Sequence, residues 1–195
     1  MVGTMLRFKD ESGGEFPPWE EKRLGDICTL LNGRAYSQAE LLSNGRYRVL
    51  RVGNFFTNGS WYYSNLNLDE NKYAVKGDLL YAWAASLGPK IWNEEKVIYH
   101  YHIWKVVPNC DTSKGFLYHL LENETKKLIR DLNGSTMKHI TKSEMEKLIV
   151  SVPMMEEQRR IAEFLGWVDQ EIKLEAQRLE TMKTIKKGLL QQMFI

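Results

Sequence analysis

The sequence predicts a globular domain of the mixed α/β (α+β) class, followed by a long C-terminal α-helix. Three observations support this prediction. Residues 47–108 contain several short segments in which apolar and polar residues alternate or β-branched and aromatic residues are enriched. Residues 115–132 have the apolar spacing of an amphipathic helix. From Glu156 to the C-terminus there is neither a proline nor a strand pattern.

The composition is that of a folded protein with room for one sizeable domain and an extended element. Of its 195 residues, 43% are hydrophobic and 27% are charged. No apolar run approaches the roughly 18 residues that a membrane span needs, and the N-terminus lacks the apolar core of a secretory signal. Cys28 and Cys110 fit no metal-binding spacing, so we expect buried, reduced thiols in a cytoplasmic protein. The net charge of +2 is too small to indicate a partner, so only its local distribution can do so.

The strands are predicted in the first part of the chain. Residues 1–16 are polar and glycine-bearing and form an N-terminal arm, after which Trp19 is a candidate anchor of the domain. Strand patterns then occur in four segments, namely 47–56, 61–68, 75–86 and 96–108. The last of these, KVIYHYHIWKVVP, alternates most clearly.

Helices dominate the second part. After the amphipathic helix of residues 115–132, Thr141 and Glu144 form a capping-box pattern that opens a short helix. Residues 148–153 are a final strand that Pro153 ends.

The C-terminal helix carries an apolar seam. Residues 156–194 would form about 58 Å of helix at about 1.5 Å per residue. Apolar residues recur in alternating steps of four and three, except where Glu175 and Lys186 occupy seam positions. The seam consists of Ile161, Leu165, Val168, Ile172, Leu179, Met182, Leu189 and Met193. A domain of about 150 residues cannot cover a seam of this length, so we expect a coiled coil with a partner helix.

One stretch of the first part is unusual in composition. Residues 30–59 contain four arginines and a single acid, Glu40, together with several asparagines and aromatics and with Asn-Gly turns. Such a stretch is either an ordinary solvated surface or a surface that recognises something negatively charged.

The chain resembles the DNA-specificity (S) subunits of type I restriction-modification systems. The resemblance covers nearly the whole chain and is carried in order by PWEEKRLGDI, YRVLRVGNF, VKGDLLYAW, GSTMKHITKSEMEKLIVSVP and the C-terminal helix. Its most specific part is the pattern P-x-x-x-E-Q-x-x-I-x-x-x-L, which is followed by a D-x-x-I and by KKGLLQQMF. The first pattern is matched by Pro153, Glu157, Gln158, Ile161 and Leu165, and the second by Asp169 and Ile172.

The resemblance implies a target recognition domain at 17–152 and a conserved spacer helix at 153–195. S subunits usually carry two such units in tandem with their helices antiparallel, so that the helices set the gap between two half-sites. This chain has one unit, and it is either a natural half-subunit or one half of a larger subunit. The exposed seam favours a twofold homodimer, which would recognise an interrupted palindrome in double-stranded DNA.

Recognition of bases needs donors and acceptors that reach base edges, while lysines and hydroxyls hold phosphates. Arg34 and Arg51 are the strongest candidates, although each could equally be a solvated surface residue, and Trp83 is better explained as a core aromatic. The full set of DNA-contacting candidates is Asn32, Arg34, Tyr36, Ser37, Arg51, Asn54, Ser86, Lys90, Ser135, Thr136 and Lys138.

No catalytic motif is apparent in the sequence. His100 and His102 would share one face of a strand and could hold a metal, but no third ligand is evident, so half-buried strand residues are the preferred interpretation. There is no nucleophile elbow, P-loop or amino-methyltransferase tetrapeptide, so we expect no catalysis and no cofactor in this chain.

The resemblance implies a separate modification subunit that binds S-adenosylmethionine and methylates adenine, joined by an endonuclease subunit for restriction. Glu157 and Gln158 are candidates for docking the modification subunit, although Gln158 could equally make a local contact at the start of the helix. Two other functions stay open, namely a coiled-coil interaction module that does not bind DNA and an enzyme that acts on nucleic acid.

Overall fold

The structure is a computed structural model that describes residues 6–57, 59–131 and 139–194. The strands are β1 (Glu20–Arg23), β2 (Cys28–Asn32), β3 (Tyr47–Leu50), β4 (Tyr62–Ser64), β5 (Tyr73–Ala74), β6 (Leu79–Ala82), β7 (Gly88–Ile91), β8 (Val97–Tyr99), β9 (Ile103–Pro108) and β10 (Ile149–Val152). The helices are α1 (Leu24–Ile27), α2 (Val52–Thr57), α3 (Lys114–Asp131), α4 (Lys142–Lys147) and α5 (Met155–Met193). The predicted architecture of an α/β domain followed by a long helix is confirmed.

The strands form three sheets. One four-stranded sheet has the order β2-β9-β6-β7 and is antiparallel throughout, while a second has the order β4-β3-β8-β5 and contains a parallel pair, β3 with β8. A two-stranded ribbon joins β1 to β10 in antiparallel register, from Glu20 opposite Val152 to Arg23 opposite Ile149. The ribbon therefore ties the beginning of the domain to the strand that precedes α5.

The core lies on both faces of the first four-stranded sheet. One face packs against α3 through Tyr81, Trp104, Leu117 and Leu121, all of which are buried. The other face meets the second sheet through a cluster that includes Leu80, Trp92 and Tyr99. Since both faces of β6 are covered, its four residues are all buried, which accounts for the continuous apolar run in the sequence.

All four predicted strand segments are longer than the strands that they contain: the segment 61–68 contains only β4, and the segment 75–86 contains only β6. The predicted strand 47–56 ends at Leu50, and the helical turn of α2 follows, with the Phe55 amide donating to the Arg51 carbonyl at 2.9 Å. This helical turn places Phe55 in the core, where it is fully buried. Alternation alone could not distinguish a longer strand from a strand that continues into an amphipathic turn.

The predicted strand 96–108 is two strands in different sheets. β8 pairs with β3 and β5, whereas β9 pairs with β2 and β6, and residues 100–102 form the turn between them. The chain must bend here because it leaves one sheet and enters the other. Both halves keep their alternation, so the bend is hidden in the sequence.

The helical part follows the prediction closely. α3 covers the predicted amphipathic segment, and α4 begins after Thr141, whose hydroxyl accepts the Glu144 amide at 3.2 Å while the Glu144 side chain reaches back to the Thr141 amide at 2.8 Å. β10 and the 39-residue α5 are also confirmed. No helix in the described ranges has the length and apolarity required to cross a membrane.

The predicted seam of α5 is divided by its surroundings. Ile161, Leu165 and Val168 are half-buried beside the domain, and Ile161 packs against its core. The later members are exposed, from 51% at Leu189 to 72% at Met193. A partner helix for this exposed part remains a prediction.

Two further expectations are corrected by the structure. Cys28 is buried, and burial raises the pKa of its thiol to about 12, but Cys110 is exposed. The N-terminal arm, which its polar composition would leave loose, is attached to the fold, since Arg7 contacts α5 and Phe16 is buried.

Candidate nucleic-acid interface

Three of the segments that were predicted to contact DNA meet at the turn of residues 100–102. The Arg34 amide donates to the Tyr99 carbonyl at 3.1 Å, and the Tyr101 amide donates to the Arg34 carbonyl at 3.0 Å. These bonds place the loop that follows β2 directly against the turn. Backbone bonds of this kind fix loop position independently of the side chains, which stay available for contacts.

The other two segments reach the same turn from β3 and β6. The His100 amide donates to the carbonyl of Leu50, which immediately precedes Arg51, at 2.9 Å. The Trp83 amide donates to the His102 carbonyl at 3.1 Å, and the Trp83 indole N–H donates to the Tyr101 carbonyl at 2.7 Å. The loop of residues 83–86 therefore borders the turn on the side of the first sheet.

A fourth predicted segment, GSTMKH, is described only at its end. Ser135, Thr136 and Lys138 lie outside the described residues. His139 forms a bridge with Ala84, and the Ile140 amide donates to the Trp83 carbonyl at 3.2 Å. The first described residues after this segment thus lie beside the 83–86 loop.

We call the surface built in this way the loop surface. It presents two arginines, two histidines, three other aromatics and a serine, namely Arg34, Tyr36, Arg51, Trp83, Ser86, His100, Tyr101 and His102. A cleft of about 380 Å³ opens in it and has no carboxylate in its lining, which consists of Arg51, Val52, Gly53, Asn54, Gly59, Ser60, His100 and His102. Arginine and aromatic side chains around a cleft without acids form a surface suited to a polyanion.

The two arginines differ in how they are held. Arg51 is exposed, stacks over the Tyr62 ring at 5.1 Å and forms no ion pair with any residue that the structure describes. Arg34 donates to the Glu40 carboxylate at 2.7 Å and lies over the Tyr36 ring at 5.2 Å. The Arg34 hydrogen bond is the main reason that the pKa of Glu40 falls to about 2. Arg51 therefore offers an uncompensated charge, whereas Arg34 first stabilises its own loop.

The histidines add neutral donors and acceptors. Burial, assisted by repulsion from His102 and from the Arg51 guanidinium, lowers the pKa of His100 to about 4, and burial also lowers the pKa of His102. Both imidazoles are consequently neutral at pH 7, and a neutral imidazole carries one donor and one acceptor. Such a group can contact a base edge without adding charge.

A chain of stacked rings connects the loop surface to the core. Tyr81 stacks on Trp104 at 5.9 Å, Trp104 stacks on Trp83 at 5.7 Å, and Trp83 meets His102 edge-on at 5.0 Å. Tyr81 and Trp104 are buried and Tyr101 is 40% exposed. The rings pack the turn against the core. Trp83, which the sequence suggested to be a core aromatic, is only partly buried: it packs against the core and forms a wall of the loop surface.

Other predicted contact residues serve the fold or lie at its rim. Asn54 is 5% exposed and its amide donates to the Ser60 carbonyl at 3.0 Å, so it supports the loop from inside. The Lys90 ammonium donates to the Phe55 carbonyl at 2.6 Å, which holds α2 in place. Asn32 and Ser37 are exposed, and the Ser37 amide donates to the Glu40 carboxylate at 2.8 Å.

The three residues of the turn itself were not predicted as contacts. His100, Tyr101 and His102 appeared to lie within a strand, so no loop was expected there. The only sequence signal is the run of polar rings, YHYH, inside an otherwise apolar segment. The two imidazole ring centres lie 4.9 Å apart, but no group of three or more metal-binding side chains occurs within the described part of the chain.

Glu157 and Gln158 are buried, which revises their predicted role in docking a partner. They are 0% and 1% exposed. The Gln158 side chain accepts the Ser113 amide at 2.8 Å and donates to the Asp111 and Pro153 carbonyls at 3.1 and 2.9 Å. Its alternative role, a local contact at the start of the helix, agrees with this geometry.

The same combination of an α/β domain and a projecting helix occurs in solved structures of type I restriction-modification S subunits. The S subunit (HsdS) of Thermoanaerobacter tengcongensis is 20% identical and matches with a TM-score of 0.62 over 81% of this chain and 39% of its own. The S subunit of M. genitalium is 17% identical, with a TM-score of 0.58 over 91% of this chain and 46% of its own. A chain from a structural study of complex assembly in a type I R-M system is 22% identical and matches with a TM-score of 0.67, over 92% of this chain and 46% of its own. At this level of identity the likeness concerns the fold.

Sequence comparison places the chain in a family. The sequence profile described as "Type I restriction modification DNA specificity domain" matches residues 17–184. The chain belongs to this family. It is 24% identical over 178 residues to the EcoBI specificity subunit of Escherichia coli, and 25% identical over 201 residues to the MjaVIII specificity subunit of Methanocaldococcus jannaschii. These matches cover 89% and 94% of the chain but only 37% and 47% of the relatives, so the chain spans less than half of their length.

Proposed function

We propose that this chain is a non-catalytic DNA sequence-recognition subunit of a type I restriction-modification system, and that the loop surface contacts the DNA. The observation that carries the proposal is the convergence of three predicted contact segments on one turn, in a chain that belongs to the specificity-domain family. Arg51 and the neutral imidazoles supply the donors and acceptors for base edges, and Tyr101 and Trp83 frame them. The loop surface recognises one half of a bipartite target.

The chemistry belongs to other subunits. The chain directs a separate adenine methyltransferase subunit, which binds S-adenosylmethionine, and an endonuclease subunit to the site, and it works in the cytoplasm. It needs no cofactor of its own. Since Glu157 and Gln158 are buried, the modification subunit docks on other residues of α5 and its flanks.

A twofold homodimer joins two half-sites into an interrupted palindrome. The exposed apolar residues of the seam support pairing of two copies of α5. Charge favours an antiparallel arrangement, because residues 155–174 hold five acids and three bases whereas residues 175–194 hold two acids and four bases. Antiparallel pairing places each net acidic half against a net basic half, and a parallel pair would place like charges together.

The decisive test compares two exposed arginines that line different clefts. Arg51 and Arg46 are both exposed and both lie over a tyrosine ring, at 5.1 Å for Tyr62 and 5.0 Å for Tyr47, but Arg46 lines a different cleft, which contains Glu94 and Glu95. Arg51→Ala should weaken target binding by about 1–3 kcal/mol, and Arg46→Ala should leave it within about 0.5 kcal/mol.

Binding is measured by fluorescence anisotropy over a salt series, with the modification subunit present. If Arg51 contacts a base, Arg51→Ala relaxes the sequence preference at one position. If Arg51 contacts a phosphate, the variant reduces the slope of log affinity against log salt concentration by about one. The preferred target comes from mapping which adenines become methylated in cells that carry this chain and its modification subunit. Equal affinity and equal preference in both variants would remove Arg51 from the interface.

The exposed seam also favours a second candidate, a coiled-coil interaction module that does not bind DNA. Salt-sensitive, sequence-dependent binding of DNA by the complex with the modification subunit distinguishes the two candidates. Methylation or cleavage of DNA by this chain alone would instead establish an enzyme.

A further inference from the structure

The first turn of α5 contains a buried carboxylate that accepts hydrogen bonds from two residues near the N-terminus. Glu157 is 0% exposed, and its two oxygens accept from the Arg7 guanidinium at 3.1 Å (Nε to Oε1) and 2.6 Å (Nη2 to Oε2). The Trp19 indole N–H donates to Glu157 Oε2 at 3.1 Å. We call these three residues the arm–helix joint. A fork of two parallel bonds fixes direction as well as distance.

The neighbouring residues of the arm follow the helix. The Arg160 guanidinium donates to the Lys9 carbonyl at 2.7 Å, and the Phe8 ring packs edge-on against Phe164 at 5.8 Å. Arg7 Nη2 also donates to the Pro17 carbonyl at 2.7 Å. Residues 7–9 therefore lie along the first turns of α5 while Arg7 is tied to the beginning of the domain.

A neighbouring side of the helix rests on the domain. Gln158 is bonded to the residues before α3, and Gly115 lies so close to α5 that a Cβ at this position would stand 2.9 Å from the Ala162 Cβ. Without the arm, the Glu157 side of α5 would keep only the hydrogen bond from Trp19. With the arm, the first turn is fixed on both sides, and so is the angle at which the helix leaves the domain.

We propose that Arg7 is a positioning residue that, through Glu157, fixes the angle between α5 and the domain and thereby restricts the half-site spacing that the protein accepts. This inference rests on the proposed function, because spacing has meaning only for a paired DNA reader. A buried ion pair is a poor source of stability compared with apolar packing, but its directional bonds define geometry.

The dimensions make the angle important. A domain of about 150 residues is about 30 Å across, so a rotation of about 10° at the joint moves its far side by about 5 Å. One base pair advances the DNA by about 3.4 Å and turns it by about 35°. A rotation of about 10° at the joint thus displaces the far side of the domain by more than the length of one base-pair step.

The first measurement is a spacing profile of the complex with the modification subunit. Palindromic DNA duplexes carry the mapped half-sites with spacers that differ by one base pair. The wild-type protein should prefer one spacer by about tenfold or more over its neighbours, and Arg7→Met should reduce this preference to about threefold or less, with unchanged base preference within the half-site. Arg7→Lys, which keeps the charge but not the fork, should lie between them.

The control is Lys126→Met, which removes an exposed ion pair with Glu122 on α3 and should leave the spacing profile unchanged. If Arg7→Met does not fold, Trp19→Phe takes its place, since it removes one bond to Glu157 and keeps the ring. A flat profile for the wild-type protein, or no DNA binding, would overturn the proposed function. If the wild-type protein has a sharp spacing profile and the Arg7→Met and Trp19→Phe variants have the same profile, the role of Arg7 is refuted.

The second measurement does not need DNA. Spin labels on Cys110, which is exposed, and on the new thiol of a Lys187→Cys variant report the distance between the domain and the far half of α5. Labelled chain is mixed with excess unlabelled chain so that distances within one chain dominate. Arg7→Met should broaden the distance distribution at least about twofold, and an unchanged width would show that the arm does not restrict the helix.

Discussion

Replacement of Leu179 by alanine tests whether the exposed seam of α5 joins two copies of the chain. Leu179 is 56% exposed, so pairing can still remove about half of its side chain from water. Full burial of a leucine is worth about 1.5–3 kcal/mol, which gives about 1 kcal/mol for this residue. A twofold dimer contains the contact twice, so Leu179→Ala should cost about 2 kcal/mol, or about thirtyfold in the dimer Kd.

Leu174→Ala is the matched control. Leu174 is also an exposed leucine of α5, at 40%, and it lies about 140° around the helix from Leu179. Both variants change helix propensity equally, so only the direction of the side chain differs. Sedimentation velocity over a concentration series measures the Kd of each. A wild-type chain that stays monomeric at micromolar concentration would refute the pairing, and a larger effect at Leu174 than at Leu179 would refute the assigned seam.

Three further predictions concern the domain. The pKa of His100 is about 4 in the folded chain and about 6.5 in the unfolded chain, so the unfolded chain takes up the proton first and the free energy of unfolding falls as the pH drops from about 6.5 to about 4. His100→Asn should make this fall smaller, and urea unfolding at several pH values measures it. Thr141→Ala removes the acceptor of the Glu144 amide and should cost about 1 kcal/mol, or about 2–4 °C in Tm. Gly115→Ala should cost about 1–3 kcal/mol by the same assays, because its Cβ would stand 2.9 Å from that of Ala162; an unchanged Tm would show that α3 and α5 separate freely.

The helical half of the protein was predictable because its signals are local. The cap at Thr141 involves residues three positions apart, and the 39-residue α5 follows from a pattern that repeats every three or four residues. Interactions over such short separations do not depend on the rest of the fold. The basic and aromatic character of residues 30–59 is likewise a property of the sequence itself.

The candidate site was predictable by region but not by residue. The segments around Arg34 and Arg51 were singled out from composition and the segment around Trp83 after the family resemblance, and the structure brings the three to one turn. The structure also buries Asn54 and places the Lys90 ammonium within hydrogen-bond distance of the Phe55 carbonyl. Both side chains donate to backbone carbonyls, since polar groups inside a fold are almost always hydrogen-bonded. Whether a side chain faces inward or outward at a loop is not encoded in spacing.

The sequence by itself determined the class of the fold, the long helix with its seam, and the concentration of arginines and aromatics that contact DNA in the proposed function. Only the tertiary structure decided that residues 100–102 form a turn, since the bend arises from two sheets that take up successive halves of one alternating segment. It also decided that Glu157 lies in a buried joint with Arg7, a residue 150 positions away in the chain. Contacts across such separations form only when the whole chain has folded, and local patterns carry no record of them.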